Sequence, residues 1–210
     1  MPARLRPTAP IAADAVLVGD PGRALLLAQE LLAEPKMSNH ARGLWGYSGR
    51  TPAGDELTIQ STGMGGPSAA LVLADLAKLG LRRAVRVGTC AAAAPGLDPG
   101  AMVVVGEAVS GGAAVRPDPG LTERLRGELG GEPATARVAS LDDPHADPPA
   151  GVAAADLQTA TLLARGGDLG LAVAAVLIVE RSAAGERIAD AALEEAAKRA
   201  GQAAASVLST

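Results

Sequence analysis

Two short runs hold arginines where an anion could be gripped. In Gly19-Asp20-Pro21-Gly22-Arg23 a glycine-bearing turn separates the apolar run Ala15–Val18 from an amphipathic stretch. Such a turn leaves backbone N–H groups at the positive end of a helix, and Arg23 can add a forked, charge-assisted contact to a phosphate or carboxylate. The competing reading is an ordinary turn with a solvated arginine. In Arg86-Val87-Gly88-Thr89 an arginine ends an apolar run and is followed by a small residue and a hydroxyl. A guanidinium in those surroundings needs a counter-charge, which either a bound anion or an internal carboxylate supplies. Between the two lies Ser61-Thr62-Gly63-Met64-Gly65-Gly66-Pro67-Ser68, whose glycines allow close backbone approach to a ligand or, alternatively, a tight turn with positive φ.

The elements that carry these runs can be read from periodicity. Ala15–Val18, Leu57–Gln60, Ala84–Val87, Met102–Val105 and Leu171–Val179 read as strands, most of them apolar throughout. Helices are predicted over Arg23–Ala33, Ser68–Leu79, Thr122–Leu129, about Val152–Arg165, and Asp190–Leu208. The Pro-, Gly- and Asp-rich segment Gly130–Gly151 is predicted to be irregular. Apolar strands separated by helices predict an α/β fold: one three-layer α/β/α domain over residues 1–210, with a central, largely parallel, twisted mixed sheet. Ligands of such sheets sit at the C-terminal ends of the strands, where the arginine runs fall.

Composition narrows the partners. The 210 residues are 48% hydrophobic and 20% charged, which suits one globular core. A net charge of −4 with no basic block argues against nucleic acid, and against an acidic membrane surface. The longest apolar run, Leu169–Val179, is too short to span a bilayer, and the N-terminus lacks the apolar stretch of a signal peptide, so a cytoplasmic protein is expected. Cys90 is the one cysteine, and His40 and His145 are far apart, so no metal site is expected. With Trp45 and Tyr47 as the only large aromatics, a stacking ligand has little to stack on.

Four runs in order, namely Gly19–Arg23, Arg42-Gly43-Leu44-Trp45-Gly46-Tyr47-Ser48-Gly49, Ser61–Ser68 and Arg86–Thr89, resemble the hexameric nucleoside phosphorylases, nearest the uridine phosphorylase branch. The resemblance is strong over about residues 5–110 and weak after Val152. It implies a phosphate site of Gly19, Arg23, Arg86 and Thr89, with Arg42 reaching in from a neighbouring subunit. It implies Arg86, Gln158 and Arg181 as the catalytic group, and Met64, Thr89, Cys90, Ala91, Leu157 and Gln158 around ribose and base. The implied reaction is attack of inorganic phosphate on the anomeric carbon of a nucleoside, releasing free base and (deoxy)ribose 1-phosphate with no metal or organic cofactor. A homo-oligomer, either a dimer or a hexamer built as a trimer of dimers, is implied with it.

Three positions depart from that pattern. Asp156-Leu157-Gln158 stands where the family carries Glu-Met-Glu, so a neutral amide replaces the carboxylate that accepts the ribose hydroxyls. A hydrogen bond to a charged group is worth about 1–2 kcal/mol more than a neutral one, which predicts weaker ribose binding and a gain from Gln158→Glu. Glu180-Arg181-Ser182 follows the late strand and resembles the Asn-Arg of the uridine branch, so a uridine-like substrate is preferred; the alternative is a solvated Arg181 paired to Glu180 or Glu186. Gly130–Gly151 has no Phe, Tyr, Trp or Gln and only Arg137, so no base reader is placed there. An active phosphorylase, a weakened paralogue that keeps phosphate binding and assembly, and an enzyme for a modified nucleoside all remain compatible with these residues.

Overall fold

The computed structural model describes residues 4–130 and 133–209. Strand β1, Asp14–Val18, leads through Asp20 into helix α1, Pro21–Leu31, and β2 follows over Ala33–Asn39. A single 3-10 turn, Ala41–Gly43, precedes β3, Gly46–Arg50, and β4, Glu56–Ser61. Helix α2 spans Gly66–Lys78, β5 Arg83–Ala92, β6 Met102–Ser110, β7 Ala113–Val115 and α3 Pro119–Leu129. Then come β8, Ala134–Ser140, β9, Ala154–Asp156, α4, Thr159–Asp168, β10, Ala172–Arg181, and the closing helix α5, Asp190–Leu208.

At the centre of the sheet β1 runs parallel to both β4 and β5, and β5 runs parallel to β10 in the register Val85↔Ala174 and Val87↔Val176. Beyond β4 the chain turns back as an antiparallel β3–β2 margin. On the other side β10 pairs with β6, β6 with β8, β8 with β9, and β9 returns to pair with β5. That last ladder closes a five-stranded ring, so the sheet curls into a barrel-like half instead of remaining open.

Helices cover both faces, and each is amphipathic toward its own core. Leu27, Ala28 and Leu31 of α1, Leu121 and Leu125 of α3, and the alanine stripe Ala196–Ala197–Ala200–Ala204 of α5 pack with Val16, Ile59 and Val176 on one face. Gly201 lets α5 approach α1: an added Cβ there would lie 2.7 Å from a methyl of Leu27. On the opposite face Val72, Leu73 and Leu76 of α2 and Leu162 of α4 pack with Leu17, Ala84 and Val105. Tyr47 is in the first of these cores and Trp45 packs against it. No helix among the described residues is long and apolar enough to cross a membrane.

Three sequence-based boundaries are corrected. Ala33 does not end α1 but begins β2. Gly130–Gly151 is not irregular throughout, because β8 lies within it; apart from Arg137 its residues Ala134–Ser140 are small, and they are buried only at Val138, Ala139 and Ser140, so its strand character comes from its neighbours β6 and β9. The helix expected from about Val152 starts only at Thr159, since Ala154–Asp156 extend between β8 and β5. Asp156 then marks the boundary by accepting the Thr159 N–H at 3.1 Å, which caps the first turn of α4.

Candidate active site

The C-terminal ends of β1, β4, β5, β9 and β10 open into one cleft of about 970 Å³. Gly19, Arg23, Met64, Arg86, Thr89, Cys90, Ala91, Leu157, Gln158 and Arg181 all line it, so residues separated by up to most of the chain meet at one place. Arg42 does not line it; it is exposed on the 3-10 turn with φ 61°. Met64 is 84% exposed at the rim.

Arg86 organises the floor. Its guanidinium is buried and donates from Nε to Thr159 Oγ1 at 2.9 Å, from Nη1 to Gln158 Oε1 at 2.9 Å, and from Nη2 to Asp156 Oδ2 at 3.0 Å. The internal carboxylate that a buried arginine requires is therefore present, in Asp156, and the arginine faces the cleft as well. Asp156 also accepts from Ser140 Oγ at 2.6 Å and Thr159 Oγ1 at 2.5 Å, so its charge is neutralised and fully bonded. Gly88 makes this possible: an added Cβ would lie 2.6 Å from Arg86 Nη2 and 2.8 Å from Leu177 Cδ2. Gly88→Ala is expected to cost about 1–3 kcal/mol by overpacking and to tilt the guanidinium out of its network; urea denaturation measures the first and phosphate titration the second.

Arg23 differs. It is half-buried at the start of α1, and its guanidinium has no hydrogen bond or ion pair among the described residues. Burial lowers its pKa; Arg86 adds to that effect, while the Asp20 and Glu180 carboxylates oppose it. Two guanidiniums that repel one another across a cleft, only one of them paired, form a place where an anion relieves the strain on both. The Thr89 hydroxyl likewise has no hydrogen-bond partner among the described residues. The helix terminus contributes less than the sequence implies: Pro21 has no N–H, and Asp20 Oδ1 already accepts the Arg23 N–H at 2.7 Å.

Gln158 is 3% exposed and its amide is held at both ends. Oε1 accepts from Thr62 Oγ1 at 2.6 Å and from Arg86, and Nε2 donates to the Gly63 carbonyl at 2.9 Å. The Gly63 turn has φ 71°, and a Cβ there would lie 2.8 Å from Ser68 Oγ, so this is one of the positions where only glycine fits. At the end of β10 Glu180 pairs with Arg187, not with Arg181, whose side chain has no ion pair among the described residues.

His145 is the site residue the sequence did not single out. It lines the cleft from the segment after β8 and is the only aromatic ring there among the described residues, whereas Arg137 pairs with Glu107 at 2.7 Å and does not line it. No base reader was expected in Gly130–Gly151, and His145 is the side chain of that segment that borders the cleft with a ring able to hydrogen-bond. A histidine between Pro144 and Pro148, in a segment poor in other functional side chains, was the available signal.

The sequence profile described as the phosphorylase superfamily matches residues 14–210, nearly the whole chain. The chain belongs to the phosphorylase superfamily. Within that superfamily its relatives include the DeoD-type purine nucleoside phosphorylase of Oceanobacillus iheyensis, 42% identical over 83 residues, which are 39% of this chain and 35% of that protein. The corresponding protein of Geobacillus kaustophilus is 38% identical over 89 residues, 42% of this chain and 37% of that one. These alignments thus span little more than a third of the curated relatives' length. The crystal structure of uridine phosphorylase from Vibrio fischeri shares the fold, with a TM-score of 0.82 and 20% identity, covering 95% of this chain and 92% of that one. Among the described residues of this superfamily member, no group of three or more His, Cys, Asp and Glu side chains is placed to hold a metal.

Cys90 lines the cleft as an inert wall. Burial pushes its thiol up to about 12, with Asp156 adding to the shift and Arg86 opposing it. The folded-state pKa lies above the usual value of 9.0, so the folded state favours the thiol. Its contribution to stability is therefore full below about pH 9 and is lost as pH rises toward 12. At pH 8 a thiol reagent should label Cys90 only after denaturant is added, and Cys90→Ala should flatten the fall in stability between pH 9 and 11.

Proposed function

We propose that the chain is a nucleoside phosphorylase whose cleft binds inorganic phosphate as co-substrate and a nucleoside, and releases free base and (deoxy)ribose 1-phosphate. The observation that carries this reading is that the half-buried Arg23, with no side-chain hydrogen bond or ion pair among the described residues, lines the same cleft as Arg86. Phosphate seated there would meet Gly19, Arg23, Arg86 and Thr89; the Arg23 and Thr89 side chains border the cleft with no hydrogen-bond partner among the described residues to compete. Preassembled cations orient the nucleophile and offset its charge as it approaches the anomeric carbon. No metal or organic cofactor takes part in this scheme.

Uridine is the preferred substrate in this proposal. Arg181 lines the cleft free of any carboxylate and can hold a water or the departing base anion, whereas Glu180 is engaged by Arg187. The name of the Vibrio fischeri protein agrees with a pyrimidine preference and those of the bacterial relatives with a purine one. Arg42, exposed and not among the residues lining its own cleft, is proposed to complete the phosphate site of a second copy, within a dimer or a hexamer built as a trimer of dimers.

Chromatography of mixtures with phosphate and uridine, thymidine, inosine or adenosine tests the reading: uracil should be released fastest, and no base above the enzyme-free control would overturn it. The fully occupied Gln158 amide favours a second reading, a weakened paralogue that keeps phosphate binding. Under that reading, phosphate raises Tm while no base appears.

A further inference from the structure

Strand β10 ends on a bulge. Val179 pairs with Cys90 and Arg181 with Ala91, so Glu180 is an extra residue with no partner on β5. A bulge re-aims side chains, and here Glu180 and Arg181 both line the cleft. The chain then folds back at once. The Ser182 N–H donates to the Glu186 carbonyl at 2.8 Å, the Glu186 N–H to Ser182 Oγ at 3.1 Å, and the N–H of Gly185, whose φ is 91°, to the Ser182 carbonyl at 3.0 Å. This tight turn sets Arg187 directly opposite Arg181 in an antiparallel bridge. Ile188 fastens it, donating its N–H to the Glu180 carbonyl at 3.0 Å and packing its side chain against the core.

Two arginines therefore face each other on one bridge, and both line the cleft. Like charges directly opposite on paired strands are destabilising. The chain sets one carboxylate against them, Glu180, and Arg187 takes it. Arg187 keeps its other N–H donors free, and the Arg181 side chain has no hydrogen bond or ion pair among the described residues. One positive charge is left over at this corner, in a chain whose net charge is −4. It stands apart from the phosphate cradle: Arg181 is beside Ala91, five residues beyond Arg86 on β5, about 17 Å of strand. Arg86 is buried and Arg23 half-buried, whereas Arg181 and Arg187 are exposed, so one cleft has a cationic floor and a cationic mouth.

We propose that Arg181 and Arg187 form a second anion subsite at the mouth of the cleft, so that the uridine-like nucleoside this chain prefers carries an ionised oxygen group of its own, a carboxylate or a phosphate. The inference rests on the phosphorylase reading above. Two guanidiniums on one rigid bridge offer such a group donors from both sides, and the group supplies the counter-charge that Glu180 alone does not. A neutral nucleoside leaves Arg181 uncompensated.

Matched pairs separate the two carriers of the charge: uridine against 5-carboxyuridine for the base, and uridine against uridine 5′-monophosphate for the sugar. The amide 5-carbamoyluridine is the neutral isostere of the first acid. Measuring kcat/KM and calorimetric Kd at one saturating phosphate concentration and constant ionic strength keeps the deeper cradle filled and the screening equal. At least one acidic member should be preferred to its neutral partner by about tenfold, the worth of one charge-assisted hydrogen bond. Both arginines are exposed, so replacing them spares the fold. The ratio of acidic to neutral substrate should fall about tenfold in Arg181→Gln and in Arg187→Gln, and rise about fivefold in Glu180→Gln, which releases Arg187. A preference in either pair sustains the proposal and names the carrier. Equal or poorer use of both acids, or a preference that survives both arginine substitutions, would overturn it. If no base is released from any compound, the phosphorylase reading fails separately and the dissociation constants decide. Tighter binding of an acidic member that Arg181→Gln or Arg187→Gln removes sustains the subsite, whereas equal, weaker or absent binding refutes it.

Discussion

Asp156→Ala should lower the unfolding free energy by about 3–5 kcal/mol, the largest loss expected from any single polar substitution in the chain. The side chain is 1% exposed, and in its absence Arg86 keeps its charge in the same buried setting with only Gln158 and Thr159 to bond. The substitution also frees Ser140 Oγ, which donates to Asp156, and uncaps the Thr159 N–H at the start of α4. Urea denaturation measures the total. Asp156→Asn should recover part of it, since an amide oxygen can still accept from Arg86 but carries no charge. A loss under 1 kcal/mol for the alanine variant would mean that Arg86 has a counter-charge other than the one identified.

Arg23→Met should do the opposite: change function greatly and stability little. Arg23 has no hydrogen bond or ion pair among the described residues, so its removal strands no bonded carboxylate; it ends the cost of burying the guanidinium and the repulsion with Arg86, and gives up the attraction to Asp20 and Glu180. Unfolding of the phosphate-free protein is therefore expected to be unchanged or slightly harder. Phosphate affinity should fall about 10- to 100-fold, the worth of one or two lost charge-assisted hydrogen bonds. Equal affinity in the variant would remove Arg23 from the site. The contrast between the two variants separates an arginine the fold needs from one that only a ligand needs.

Much of this was legible in the sequence because the arginine runs end parallel strands, and the ends of parallel strands converge. Ala15–Val18 is apolar throughout and Ala84–Val87 is apolar but for Arg86, which marks them as buried centre strands and carries Gly19 and Arg86 to the same edge. Helix α5 could be read at its full length from its alanine stripe. The ring closure through β8 and β9 could not be read, because Ala134–Ser140 and Ala154–Asp156 have mostly small side chains and no strong alternation. Their pairing is dictated by neighbours distant in sequence. For the same reason Asp156 was legible as a position in a motif but not as the counter-charge of Arg86, 70 residues away.

Gln158 is where the structure altered the reading most. As a sequence letter it is a carboxylate lost. As a buried amide it also gains a bond, to the Gly63 carbonyl, that a glutamate could not make. The gain in turnover expected of Gln158→Glu is thus set against loosening of the Gly63 turn.

Isothermal titration of inorganic phosphate into the wild-type protein, with chloride at matched ionic strength as the control, tests the anion site most directly. A single saturable site that weakens about 10- to 100-fold in Arg23→Met is the expected result. Heat no greater than the chloride control, or phosphate binding that survives Arg23→Met undiminished, would contradict the assignment of the cleft as the phosphate site.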